Sequence, residues 1–178
     1  MDEEDPTPTI RDAVEADLPA ITDIQNALIE STTIEWTEQP HTLESRVAWW
    51  RARVDDGCPV LVAEVDGAVV GWASYGDFRD RHRLPGYRFT AEHTIHVDRA
   101  AWGTGVAEAL LAALVDRARA AGRRVLVAAV DGDNERSIRF HQRQGFVEVA
   151  RMPGVGNKWG RRLALVLLQR DLTATDPA

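Results

Sequence analysis

The sequence predicts a mixed α/β domain: a central twisted, mostly antiparallel sheet of about seven strands flanked by about four helices. Three observations carry that expectation. Short apolar or alternating segments of strand length recur along the chain between longer segments whose apolar residues repeat every three to four positions. The segments are separated by compact turn signals such as Asp66-Gly67, Gly122 and Gly145. The 178 residues are 44% hydrophobic and 28% charged, a soluble globular balance with room for one core and too little for two.

Taken in order, residues 1–8 read as a disordered lead-in, 9–172 as one domain and 173–178 as a frayed tail. Thr9 to Val14 is the first strand, and Asp17 caps a helix with Leu18, Ile21, Ile24, Leu28 and Ile29 on one face, ending near Ser31. The segment Ser31 to Pro40 has no helical period; its Trp36 either closes over a ligand or serves as a satellite core residue. Thr42 caps a second helix through Leu43, Val47, Trp50 and Val54, stopped by Gly57 and Pro59. Val60 to Val65 and Ala68 to Tyr75 form a hairpin about Asp66-Gly67.

Tyr87 to Val97 reads as a strand that feeds a glycine turn, and a helix follows from about Gly105 to Ala121 with Val106, Leu110, Leu111, Leu114 and Val115 as its apolar series. Val125 to Val130 is a continuous apolar strand, and Asn134 to Gln144 a helix ended by Gly145. Phe146 to Arg151, a glycine-rich loop from Pro153 to Gly160, and a last strand Leu163 to Leu168 complete the chain.

Net charge is −7, from 21 basic and 28 acidic residues, which argues against sequence-independent binding to nucleic acid or anionic membrane. The acidic N-terminus lacks the basic and apolar regions of a secretory signal, and the single Cys58 excludes an internal disulfide; the expected compartment is the cytoplasm. Positive charge is bunched in one place, where Arg79, Arg81, His82, Arg83 and Arg88 face Asp80 alone. Such a loop either receives an anionic small molecule or is simply solvated.

The stretch Glu92 to Leu114 organises the chemistry. Gly103 and Gly105 sit just before a helix, so free backbone N–H groups at the positive end of its dipole can meet a phosphate without Cβ interference. A pyrophosphate-bearing ligand suits such a turn. His93 and His96, three apart on a strand, face opposite sides and make no metal site together. Cys58 has no adjacent His and reads as a small core residue.

From Ile10 to Leu172 the chain resembles the GNAT superfamily of acetyl-CoA-dependent N-acetyltransferases. Its signature, Gln/Arg-x-x-Gly-x-Gly/Ala, aligns with Trp102-Gly103-Thr104-Gly105-Val106-Ala107: Gly105 and Ala107 fit, and Trp102 replaces the basic or amide side chain. A second signature is Asn134-x-x-Ser137-x-x-x-His141-x-x-x-Gly145-Phe146, with His141 where Tyr is usual. Gly86 to His93, Thr32-Thr33-x-x-Trp36 and Lys158-Trp159-Gly160-Arg161 are similar to the phosphinothricin and methionine sulfoximine N-acetyltransferases. Two departures are a longer Phe78 to Gly86 loop and His96 in place of a common Tyr.

The resemblance implies acetyl-CoA as co-substrate, no metal, a small amino acid-like acceptor, direct transfer with both substrates bound, and a homodimer. It places the cofactor on Ile95, His96 and Val97, on Gly103, Thr104, Gly105, Val106, Ala107 and Glu108, and on Asn134. The residues add chemistry of their own. An amine attacks a thioester only when unprotonated, so a base must take a proton, and Glu92 is the best placed; the alternative is a rim carboxylate paired with an Arg. His141 is a candidate acid for the leaving thiolate or, equally, a core histidine satisfied by a backbone carbonyl. Arg88 beside Tyr87, then Arg79, suit a carboxylate or phosphinate oxygen pair. Trp36 and Lys158 complete the expected substrate site, Lys158 on a late loop that in the resembling enzymes approaches a neighbouring subunit. Acetylation of a peptide N-terminus or a polyamine, and a non-catalytic acetyl-CoA sensor, are the competing readings.

Overall fold

A computed structural model describes residues 7–173; the lead-in and tail expected at the two ends lie, apart from residues 7, 8 and 173, outside the described residues. The elements follow the predicted order: β1 (Thr9–Asp12), α1 (Leu18–Ser31), α2 (Leu43–Asp55), β2 (Val60–Val65), β3 (Ala68–Asp77), β4 (Thr90–Val97), α3 (Val106–Ala120), β5 (Val125–Asp131), α4 (Glu135–Arg143), β6 (Val147–Lys158) and β7 (Arg161–Asp171). The strands make a seven-stranded sheet in the order β1-β2-β3-β4-β5-β7-β6. β4 and β5 run parallel. The pairs β1 with β2, β2 with β3, β5 with β7 and β6 with β7 are antiparallel.

The chain divides into two compact units. Of the described residues, the first holds 7–27, His41–Tyr75 and Thr94–Leu114. Its core joins Leu18, Ile21 and Ile24 of α1 to Val60, Val62 and Trp72, with Val47, Trp49 and Trp50 of α2 packed against them. The apolar face expected of α2 is displaced: Leu43 and Val54 are exposed, while Arg46 is buried with its guanidinium 4.8 Å from the Trp49 ring centroid and 5.5 Å from that of Trp72. These two tryptophans turn an arginine's flat face into core surface. Thr42 accepts the Ser45 N–H as predicted. Asp17 stands just before α1, but its carboxylate accepts from the Val14 N–H and pairs with Arg11, which holds it below the usual carboxylate range.

The second unit holds, of the described residues, Leu28–Pro40, Gly76–His93 and 115–173. Leu126, Ala128, Phe146, Leu163, Val166 and Leu168 are buried there. Two expectations need correction in this unit. Tyr87 to Phe89 is not strand: Pro85–Tyr87 is a 3₁₀ turn, fixed by proline at its first position, and β4 begins at Thr90. The glycine-rich loop Pro153 to Gly160 is the second half of β6, which pairs with β7 down to Lys158↔Arg161 through a hairpin at Trp159-Gly160. The ladder is interrupted between Met152 and Gly156, and β6 ends the strand order, which is where a sheet tolerates Pro153. No helix among the described residues is long and apolar enough to cross a membrane.

Candidate active site

The glycine turn of the first unit has the predicted construction. Gly103 and Gly105 adopt φ of +87° and +84°, a region L side chains rarely enter, and a Cβ at either would meet nothing within 4 Å. Backbone conformation, not crowding, demands glycine here. The first helical bond of α3 runs from the Ala109 N–H to the Gly105 carbonyl, so the amides of Val106, Ala107 and Glu108 precede the ladder at the positive helix end. Val106, Leu110, Leu111, Leu114 and Val115 are all buried, which anchors the helix beneath its turn. The Thr104 hydroxyl donates to the Ala101 carbonyl.

Trp102 has a definite job in place of the signature side chain. Its indole N–H donates to the Val97 carbonyl at 2.8 Å, closing the connection between the end of β4 and Gly103. The guanidinium of Arg99 lies 5.5 Å from its ring centroid. His96 is buried with its ring 5.1 Å from Trp72, so its imidazole belongs to the core. Its carbonyl lies so near Gly71 that a Cβ there would sit 3.1 Å away. The β4–β5 pairing runs from Thr90↔Val125 to His93↔Ala128, and β4 continues through Thr94, Ile95, His96 and Val97 beyond it.

In the second unit, Glu92 is half-buried on β4, opposite Val127 of β5. Strand alternation turns it away from the side that holds His93. His93 is buried against His141 and Phe146, ring centroids 5.1 and 5.5 Å away. Burial, reinforced by His141, pushes its pKa well below the ordinary histidine range, and neither ring nitrogen has a hydrogen-bond partner. His141 is also buried and shifted down by that burial; its Nδ1 lies 2.7 Å from the Ser137 carbonyl, an acceptor, so Nδ1 carries the proton. Nε2 of the neutral ring is then an unpartnered acceptor. That is the core histidine satisfied by a carbonyl; donating a proton from Nε2 would first require charging a buried ring. Asn134 caps α4 through Oδ1, which accepts the Ser137 N–H, and this cap does not use its amide nitrogen.

The remaining expected substrate residues lie on two loops of the second unit. Tyr87, Arg88 and Arg79 are exposed. Arg79 stacks 4.3 Å from the Phe78 ring centroid, Arg88 the same distance from Phe89, and Tyr87 packs on Phe78. Lys158 is different and corrects the expectation of a ligand-facing cation. It is fully buried, and its ammonium donates to the carbonyls of Ile29, Thr32 and Glu35 at 2.6, 2.7 and 2.7 Å. Burial lowers its pKa, opposed by Glu35 and Glu38. Trp36 is half-buried against Gly156.

Two residues passed over in the sequence complete these loops. Asp131 at the end of β5 is buried and accepts the Thr33 hydroxyl. Arg123 is buried and donates both to Asp77, at 3.1 Å, and to the Arg88 carbonyl, at 2.7 Å. Their partners are distant in sequence and nothing local announces them. Among the described residues no cluster of three His, Cys, Asp or Glu could hold a metal ion.

Residues 21–146 match the model of the Acetyltransferase (GNAT) family. The chain belongs to the GNAT acetyltransferase family. It is 45% identical over 171 residues to the L-methionine sulfoximine/L-methionine sulfone acetyltransferase of Pseudomonas paraeruginosa, covering 96% of this chain and 98% of that protein. It superimposes with a TM-score of 0.89 on a phosphinothricin acetyltransferase of Sinorhizobium meliloti solved with acetyl-CoA, at 36% identity, covering 97% of this chain and 94% of the other. A ribosomal-protein-alanine N-acetyltransferase from Brucella melitensis gives a TM-score of 0.88 at 43% identity, covering 92% and 99%.

Proposed function

We propose that this acetyltransferase moves the acetyl group of acetyl-CoA to the α-amino group of a small amino acid analogue of the methionine sulfoximine or phosphinothricin kind, directly and with both substrates bound, as a cytoplasmic homodimer. The observation that carries the reading is the run from β4 into α3: a strand that continues past its β5 ladder, followed by a turn with two glycines at positive φ and a helix N-terminus. These groups fit acetyl-CoA. The part of β4 beyond its β5 ladder, residues 94–97, suits the amide-bearing pantetheine arm by strand addition, and the amides of residues 105–108 suit its pyrophosphate. The thioester supplies the acyl group, and its thiolate, of ordinary pKa about 8.5, leaves with little help.

Glu92 takes the ammonium proton directly or through water, and the amine then attacks the thioester carbonyl. Backbone N–H groups of Ile95 to Val97 stabilise the charge that develops on the carbonyl oxygen. The exposed arginines 79 and 88 receive the carboxylate next to the reacting amine, and their planar forks match its two oxygens. Exposed Val147, Val149, Met152, Val155 and Trp159 along β6 and its turn support self-association through this strand.

The Brucella neighbour favours a second reading, acetylation of a protein N-terminus. A peptide's first residue has its carboxyl tied up in an amide, so it leaves the arginine-rich loop without an anion to bind; a polyamine would be repelled. A release assay for CoA thiol separates these readings. Phosphinothricin, methionine sulfoximine, methionine sulfone, ordinary amino acids, an Ala-initiated peptide and spermidine are each offered with saturating acetyl-CoA. Turnover of the amino acid analogues is expected; faster turnover of the peptide or spermidine contradicts the proposal.

A further inference from the structure

We infer that Lys158 and Gly156 are positioning residues for amine recognition: from one face of β6 they fix the segment 29–38 and set the ring of Trp36. The inference rests on the proposed function and on the place in the substrate site that the family resemblance implies for Trp36. Residues two apart on a strand point the same way, so Gly156 and Lys158 address the same segment.

Lys158 acts on the backbone. An ammonium has three donors and no acceptor, and here all three are satisfied by the carbonyls of Ile29, Thr32 and Glu35. Those carbonyls fall at the end of α1 and in the non-helical segment after it, where backbone acceptors lack a ladder of their own. The cation replaces that ladder. Gly156 acts on the side chain. A Cβ there would clash with the Trp36 ring, so the ring rests on bare backbone and any substituent displaces it. Two further ties hold the segment: Thr33 to Asp131, and the Trp159 N–H to the Glu38 carboxylate at 2.8 Å. A buried charge with every proton committed is a costly way to hold a surface loop. That expense is consistent with a loop whose exact placement matters to the ligand.

The test compares Lys158→Met, Lys158→Arg and Gly156→Ala with wild type. In Lys158→Met, amide hydrogen exchange over residues 29–38 accelerates, and KM for the amine rises about tenfold to 100-fold while KM for acetyl-CoA stays within about twofold. A purely structural loss would lower the active fraction and leave both KM values in place. Lys158→Arg keeps the charge, but its larger planar fork cannot take the place of one nitrogen on which three carbonyls converge, so it fails to rescue the amine KM. Gly156→Ala leaves every Lys158 bond intact and gives the same amine-specific rise, which keeps the inference testable if the lysine variants do not fold. Unchanged exchange over 29–38 in Lys158→Met, or an unchanged amine KM in both Lys158→Met and Gly156→Ala, overturns it. If wild type turns over no amine, the proposed function fails on its own, and the exchange measurement alone decides whether the lysine holds the segment.

Discussion

The two loops of the second unit, 32–38 and 78–88, are built in opposite ways. The first is tied along its length: Lys158 holds its backbone, Asp131 holds Thr33, Glu38 reaches the Trp159 N–H, and Trp36 lies on Gly156. The second is joined to the rest of its unit at its base, and above it Asp80 accepts the N–H groups of His82, Arg83 and Leu84 within the loop itself. Asp77 and the Arg88 carbonyl are gripped by Arg123, and Phe78 donates to the Thr90 carbonyl, while His82, Arg83, Leu84 and Tyr87 between them are exposed. Under the proposed function the difference separates two tasks that a binding site needs. A rigid aromatic wall selects by shape, and long arginines on a surface loop select by charge and adapt to the position of an anion.

The largest expected effect lies on the strand β4, outside both loops. Glu92→Gln at saturating amine lowers kcat by about 100-fold or more, as a positioned base is typically worth; a wild-type rate would show that Glu92 is not the base. Next comes the base of the cationic loop. Arg123→Met leaves the Arg88 carbonyl and Asp77 without a buried donor and costs about 1–3 kcal/mol in urea unfolding. The tip behaves otherwise. Arg88→Met raises KM for the amine about tenfold and changes stability by no more than about 0.5 kcal/mol, since an exposed side chain stacked on Phe89 contributes little to folding. Equal stability losses for Arg88→Met and Arg123→Met would erase the distinction between base and tip.

The smallest effect concerns pH. His93 and His141 have depressed pKa values in the folded state, so the unfolded chain binds more protons below its ordinary histidine value near 6.5. Stability from these neutral rings is complete above about pH 6.5 and falls as the pH drops below it. The urea midpoint of wild type should therefore fall between pH 7.5 and 5.5 by more than that of His93→Leu. Parallel curves would mean that the rings do not charge on unfolding.

Much of this architecture was legible because it is local. The α3 stripe from Val106 to Val115, the Thr42 cap, the Asp66-Gly67 hairpin and the glycines before α3 depend on neighbours a few residues away, and a single sequence contains them. β6 was not legible beyond Arg151, because Pro153, Gly154 and Gly156 read as loop, and only pairing with β7 makes them strand. Tyr87 to Phe89 misled in the other direction: aromatic residues suggested a strand that Pro85 turns into 3₁₀. At the site, the glycine turn was predicted from backbone chemistry, whereas the role of Lys158 was not. Its acceptors are main-chain carbonyls more than a hundred residues away, which carry no residue-specific signal.

The contrast between an aromatic wall and a cationic tip presumes an acceptor with a carboxylate beside its amine. The most direct measurement is the ratio of kcat/KM for L-methionine sulfone to that for its carboxamide, which keeps the amine and side chain and removes only the anion. Lost charge-assisted hydrogen bonds predict a preference for the acid of about tenfold or more. A ratio near unity, or a preference for the carboxamide, would contradict the account.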